Sequence, residues 1–227
     1  MRAHTAAGWS LLLSLAAGHA AAQQPGDELE PIAQEFFITE TVYPQDAGEV
    51  QLTADSDFEE ENLARLTVEY GITDHLQVSA TTPPLRTEGS GSEWSVGALF
   101  NLVNRAALAA SVSLDAEFQG ADEKVVLEPA FTAARQMGIA QVHGSVAAAL
   151  GDETEYSSGL GLMLDEGRFT PTLELTATGQ EHVATTVGIT PGIYLHLGPH
   201  AEFGIAAPVR LHGDDLPPFR ALLTVEF

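Results

Sequence analysis

From Gly48 to Phe227 the chain alternates apolar and polar residues with a period of two, interrupted only by short turn-like stretches. The last eleven residues show it most plainly. Phe219, Ala221, Leu223, Val225 and Phe227 form one face, and Arg220, Leu222, Thr224 and Glu226 form the other. Ala64, Leu66, Val68 and Tyr70 likewise oppose Arg65, Thr67 and Glu69, and Leu76, Val78 and Ala80 oppose Gln77, Ser79 and Thr81. A period of two is the signature of a strand with two unlike faces, and helical spacing fits none of these segments.

Twelve such segments are read at 48–55, 62–71, 75–83, 93–102, 105–118, 124–135, 138–150, 155–164, 168–178, 182–196, 200–211 and 217–227. Most match the ~9–11 residues that a tilted strand needs to cross a bilayer. The connections alternate too. Ile72-Thr73-Asp74, Val103-Asn104, Gln136-Met137, Asp165-Glu166-Gly167 and Leu197-Gly198-Pro199 are tight turns, whereas the links between them are longer and acidic. Short turns at one end and longer loops at the other define an all-β fold, a closed antiparallel transmembrane β-barrel of about 12 strands, with short periplasmic turns and acidic external loops. A water-soluble sandwich would also alternate, but it would carry its charged face outward. Here the polar face is rich in Ser, Thr, Gly and Ala, while Val, Leu and Phe recur on the other through nearly every strand. Pro129, Pro171 and Pro191 fall inside strands, where a missing N–H predicts local bulges.

Residues 1–22 read as a secretory signal peptide. Arg2 gives a basic start, Trp9 to Ala17 an apolar run too short to span, and Ala20-Ala21-Ala22 a cleavage site. Residues 23–47 are expected to form an N-terminal periplasmic segment, poorly ordered as termini usually are. The alternative is a small lumen plug built on Phe36-Phe37-Ile38 and Val42-Tyr43-Pro44. Residues 48–227 are the barrel. With 32 acidic residues against nine basic ones, one of which lies in the leader, the chain is unsuited to nucleic acid. It has no cysteine, so thiolate catalysis, disulfides and Cys-ligated metals are excluded.

The closing strand with its terminal Phe227 resembles that of Gram-negative outer-membrane β-barrels, in which this pattern is the signal for the barrel assembly machinery. Three stretches, Glu40–Leu52, Tyr70–Val78 and Phe203–Val209, resemble a bacterial barrel family described as transporters, or as the outer-membrane protein of the meta-pathway of phenol degradation. The resemblance implies an outer-membrane location after signal-peptide removal, contact with outer-membrane lipid, and passage of small aromatic solutes.

Candidate chemistry is sparse. His143 and Ser145 share the lumen parity of one strand, but two parallel neighbours without an orienting acid do not make a hydrolase site. Their expected role is polar lining, so no catalytic residue is assigned and the protein is not expected to be an enzyme. His182, His196, His200 and His212 lack metal-ligand spacing. The acidic loops lack a calcium-loop pattern and are read as a solvated surface that concentrates cations. No cofactor and no metal is expected. Arg65, Arg210 and Arg220 take polar parity near external loops on strands two, eleven and twelve. Asp115, Glu117 and Glu128 do so on strands five and six. These six are expected to line the pore as a basic wall facing an acidic one. Small lumen residues, Gly97, Ser111, Ser113, Ala147, Gly188, Gly192 and Gly204, favour open space. The expected function is a passive pore or transporter for small molecules. The alternatives are a filled structural or assembly barrel and a barrel hydrolase of lipase or protease type.

Overall fold

The computed structural model describes residues 29, 31–33, 35–39, 41–58, 62–86, 93–105, 108–119, 124–180, 183, 185–213, 216 and 219–227. The leader, Glu59–Glu61, Asp122, Glu123, His182, Asp214 and Asp215 fall outside them.

Fourteen strands make twelve staves. They are β1 (Val50–Ser56), β2 (Asn62–Thr73), β3 (Leu76–Thr81), β4 (Leu85–Arg86), β5 (Trp94–Arg105), β6 (Leu108–Gln119) and β7 (Lys124–Met137). Then follow β8 (Ala140–Leu150), β9 (Thr154–Leu164), β10 (Phe169–Gln180), β11 (Thr186–Gly198), β12 (Ala201–Ala206), β13 (Val209–His212) and β14 (Arg220–Glu226). Two staves are broken where proline removes a donor: β3 and β4 flank Pro83-Pro84, and β12 and β13 flank Ala207-Pro208. Each stave pairs antiparallel with its neighbours in the chain, and the sheet closes where β1 joins both β14 and β2. The Val50 carbonyl accepts from Phe227 N–H at 2.9 Å, and the Phe227 carbonyl accepts from Val50 N–H at 3.2 Å.

Which side of the wall faces water is settled by exposure. Leu114 is 51% exposed and Ser111, three residues away on the opposite parity, only 1%. The same inversion holds for Val68 and Tyr70 against Gln51 and Gln77 on adjoining staves. Apolar outside and polar inside is the arrangement for lipid, and the reverse of a soluble sandwich. Trp94 and Phe118 stack on the outer face near the long-link end, with ring centroids 4.1 Å apart. Tyr156, Phe219 and Phe58 are also exposed near that end.

Strand ends run two or three residues beyond the predicted ones in places. β5 runs through the turn expected at Val103-Asn104 to Arg105, and β11 continues to Gly198. The bulges predicted at the three prolines do not occur. The β7–β8 ladder passes from Leu127↔Leu150 to Ala130↔Ala147 without a change of register, and the β10–β11 ladder keeps its register through Pro171 and Pro191. Register shifts lie at Gly71/Thr73, Asn101/Val103 and His196/Gly198, beside short turns, and at Val187/Gly188 and Asn62/Ala64 towards the long links. A proline whose N–H would face a skipped bond costs a ladder bond but not a residue of register.

Of the two forms weighed for the segment before the barrel, the described residues take the lumen-plug form. They make not a tail outside the barrel but a re-entrant hairpin inside the lumen. It starts near the short-turn end, where Leu29 N–H donates to Asn104 Oδ1 at 3.0 Å. It turns at Phe37–Thr39 and descends past Val42, whose carbonyl accepts from Ser111 Oγ at 2.5 Å. It leaves at Gln45, which donates from its backbone to Gln77 Oε1 and from its side chain to Gln51 Oε1, both at 2.8 Å. Much of the buried apolar core lies here, between hairpin and wall. Ala33, Phe36 and Phe37 pack with Met163, Tyr194, Ala206 and Leu222, and Leu29, Val42 and Tyr43 pack with Ala109 and Ala134.

Closure predicts the effect of truncation. Removing Phe227 deletes both terminal bonds to Val50 and the last lipid-facing aromatic. The variant is expected to refold into lipid in clearly lower yield than the full chain, read as the fraction of compact, heat-modifiable protein on an unheated gel.

Candidate functional site: an outer vestibule floored by the hairpin tip

Above the hairpin, towards the long-link end, lies a cavity of about 360 Å³. Its floor is Glu35 to Thr39 and its walls are the polar parity of β1, β2, β3, β5, β6, β7 and β14. Six carboxyl side chains line it (Glu35, Asp55, Glu69, Asp115, Glu117 and Glu128) against two guanidinium groups, Arg65 and Arg220.

The charges are not mixed evenly. Arg65 on β2 and Arg220 on β14 flank β1, whose Asp55 stands 3.7 Å from Arg220 Nη2. In the strand order β6 and β7 lie across the barrel, and there Asp115 and Glu128 are direct cross-strand partners, with Glu117 two residues on. Lower in the cavity, Glu69 is held by amides, accepting from Gln77 Nε2 at 2.5 Å and Gln51 Nε2 at 2.7 Å.

Five of the six residues expected to line a pore therefore line this cavity: Arg65, Asp115, Glu117, Glu128 and Arg220. Arg210 does not. It lies exposed on β13 and donates from Nη1 to the Gly213 carbonyl at 3.2 Å. The place its parity would face is occupied. Leu216, from the link after β13, turns in over Gly188, the cross-strand partner of Arg210. At the rim, Lys124 Nζ donates to Asp152 at 2.5 Å, and that bond with the ammonium charge holds the Asp152 carboxyl below its usual range.

The hairpin tip is held by side chains of the wall. Glu174, fully buried on β10, accepts from Phe37 N–H through Oε1 at 3.0 Å. Its Oε2 accepts from Ile38 N–H at 2.9 Å, Thr39 N–H at 2.7 Å and Thr39 Oγ1 at 3.0 Å. Arg220 Nη1 donates to the Phe37 carbonyl, so the Phe37 residue is gripped at both its N–H and its C=O. Bare wall positions make the room. A Cβ at Gly161 would stand 2.5 Å from the Phe36 ring, and one at Gly192 2.5 Å from that of Phe37. The small lumen residues that suggested open space are, at Ser111, Gly192 and Gly204, seats for this hairpin.

His143 belongs to the same packing. It is buried between Phe36 and Tyr43, with centroids 4.8 and 5.8 Å away, and its Nε2 bonds Gln141 Oε1 at 2.8 Å. Ser145 lies beside Gly159, under Thr39, and forms no bond to His143. The fit is nevertheless imperfect. Among the described residues, Tyr43 Oη, His143 Nδ1, Tyr194 Oη, Thr172 Oγ1 and Thr190 Oγ1 are buried without a hydrogen-bond partner. No group of three or more His, Asp or Glu among the described residues is arranged for a metal ion.

A closed, internally plugged, twelve-stave barrel with a charged vestibule has the fold of the outer-membrane β-barrels. Solved structures agree on the fold. The KdgM porin superimposes with a TM-score of 0.61 at 8% identity, covering 79% of this chain and 98% of its own. The NanC porin gives 0.56 at 10%, covering 80% and 99%. LpxR from Salmonella typhimurium gives 0.51 at 10%, covering 78% and 99%. No known protein family matches the sequence, and neither does any curated protein.

Proposed function

We infer that the protein is a gated passive pore of the Gram-negative outer membrane, admitting small polar solutes when the N-terminal hairpin yields. The observation that carries this reading is the way the lumen is closed. The vestibule ends on a hairpin tip gripped by Glu174 and Arg220, without sheet pairing to the wall among the described residues. A stopper held by side-chain bonds and packing rather than by the ladder can leave without opening the sheet. The leader expected from the sequence fits export, and the apolar outer face fits lipid.

Cargo follows from charge. The KdgM porin has been captured with oligogalacturonate, a polyanion. Six carboxyl groups against two guanidinium groups would repel such a ligand here and draw in cations. The resemblance to the phenol meta-pathway family suggests small aromatic cargo. The charged walls restrict that to solutes bearing polar groups and disfavour hydrocarbons.

The test is conductance of the refolded protein in planar bilayers under a salt gradient. Brief cation-selective openings are expected. Arg65→Ala with Arg220→Ala removes the only two cations lining the cavity among the described residues, and should shift the reversal potential further towards cation selectivity. An unchanged reversal potential would count against permeation through this vestibule. A silent membrane, with properly folded barrel, would favour the filled structural barrel.

A further inference from the structure

We propose that the vestibule is a recognition site for a small zwitterion, a solute carrying an ammonium group and a carboxylate joined by a short apolar stem. The proposal rests on the pore reading only in that the solute enters from the long-link mouth.

Three features converge. First, the two walls differ in charge balance and stand apart, Asp115, Glu117 and Glu128 on one, and Arg65 and Arg220 flanking Asp55 on the other. Asp115 and Glu128 face each other across β6 and β7, and among the described residues neither forms an ion pair. Their mutual repulsion between low-dielectric walls is relieved by an ammonium group placed between them. The Asp115 carboxylate lies over its bare cross-strand partner Gly97, where a Cβ would collide with Asp115 Oδ1. Second, Arg65 and Arg220 stand on the far wall. Arg220 is 3.7 Å from Asp55, beyond hydrogen-bond distance, so the planar fork is not engaged there as a bidentate pair. Third, apolar side chains share the lining, Phe37 and Ile38 on the floor and Leu99, Val126 and Leu222 on the walls. A cavity of about 360 Å³ lies within the ~300–1,000 Å³ typical of small-molecule sites.

Occupancy also reaches the gate. The Arg220 donor that would meet a carboxylate now holds the Phe37 carbonyl. A carboxylate bound there draws that donor away and leaves Glu174 as the remaining polar grip on the Phe37 backbone. The zwitterion thereby loosens the stopper beneath it.

The experiment is equilibrium binding to the refolded full chain in detergent, by calorimetric titration with three probes: 6-aminohexanoate, hexylamine and hexanoate. The expected order is 6-aminohexanoate at least tenfold tighter than hexylamine, with hexanoate weaker than both. Asp115→Asn with Glu128→Gln should weaken both amine-bearing probes at least tenfold. Arg65→Gln should bring 6-aminohexanoate towards hexylamine and leave hexylamine unchanged. Equal affinity for 6-aminohexanoate and hexylamine, or no saturable binding of any probe, overturns the proposal. Conductance is scored separately. A barrel that conducts without saturable binding refutes the site, and one that binds but never conducts refutes the pore.

Discussion

Glu174→Ala is expected to turn a barrel that opens rarely into one that conducts for most of the recording. The side chain accepts four hydrogen bonds from Phe37, Ile38 and Thr39, deep in the lumen where water cannot readily replace them. At about 1 kcal/mol or more apiece, their loss takes some 4 kcal/mol from the seated hairpin. That is roughly a thousandfold in the ratio of seated to displaced states. Glu174→Gln should be intermediate. One amide oxygen can keep the Ile38 and Thr39 donors, but the NH2 group then faces the Phe37 N–H. The control is Glu153→Gln, which changes an exposed carboxylate on the link between β8 and β9, outside the vestibule lining. If folded Glu174→Ala conducts no more than the wild type, the hairpin is not the closing element.

The second large effect is on stability. Leu114→Arg puts a charge on the outer face in the middle of β6, where Leu114 is 51% exposed. It should cost about 2–4 kcal/mol in lipid if that position lies near the midplane. Ser113→Arg, one residue away, enters the vestibule wall instead and should cost much less. Denaturant titrations of both variants in lipid vesicles separate the two cases. Equal costs would mean that the faces have been assigned wrongly.

The barrel was legible because each stave must solve the same problem alone. Lipid on one side and a polar lumen on the other impose a period of two on every segment, so strand count, pairing order and parity follow from local pattern. The breaks at Pro83-Pro84 and Ala207-Pro208 follow from chemistry too, although the second lies inside a segment read as one continuous strand and the short β4 lies where a link was read. The hairpin was not legible in the same way. Residues 29–45 carry no period, and their structure depends on partners such as Glu174, about 135 residues away. Two signals stood in the sequence all the same. Glu174 is an acid at lumen parity in a strand whose other lumen positions, Thr170, Thr172 and Thr176, are small hydroxyls. Gly159, Gly161, Gly192 and Gly204 strip the same region of side chains. A carboxylate in the middle of a lumen lined by glycine and threonine marks a site for chain rather than for open water. The vestibule was partly legible, since parity places Arg65, Arg220, Asp115, Glu117 and Glu128. Arg210 escaped because its neighbour Leu216 belongs to a link, where parity says nothing.

The central claim is that the hairpin seated in the lumen closes a pore, and the absence of cysteine allows it to be tested without background. A Cβ built at Gly159 stands 3.1 Å from Thr39 Cβ, a few tenths of an ångström short of ordinary disulfide spacing. Thr39→Cys with Gly159→Cys should therefore tie the hairpin tip to β9. Conductance of the double variant is recorded first oxidised and then after reduction in the same membrane. The expected result is silence when oxidised and restored openings when reduced. Equal conductance in the two states, with the disulfide confirmed, would contradict it.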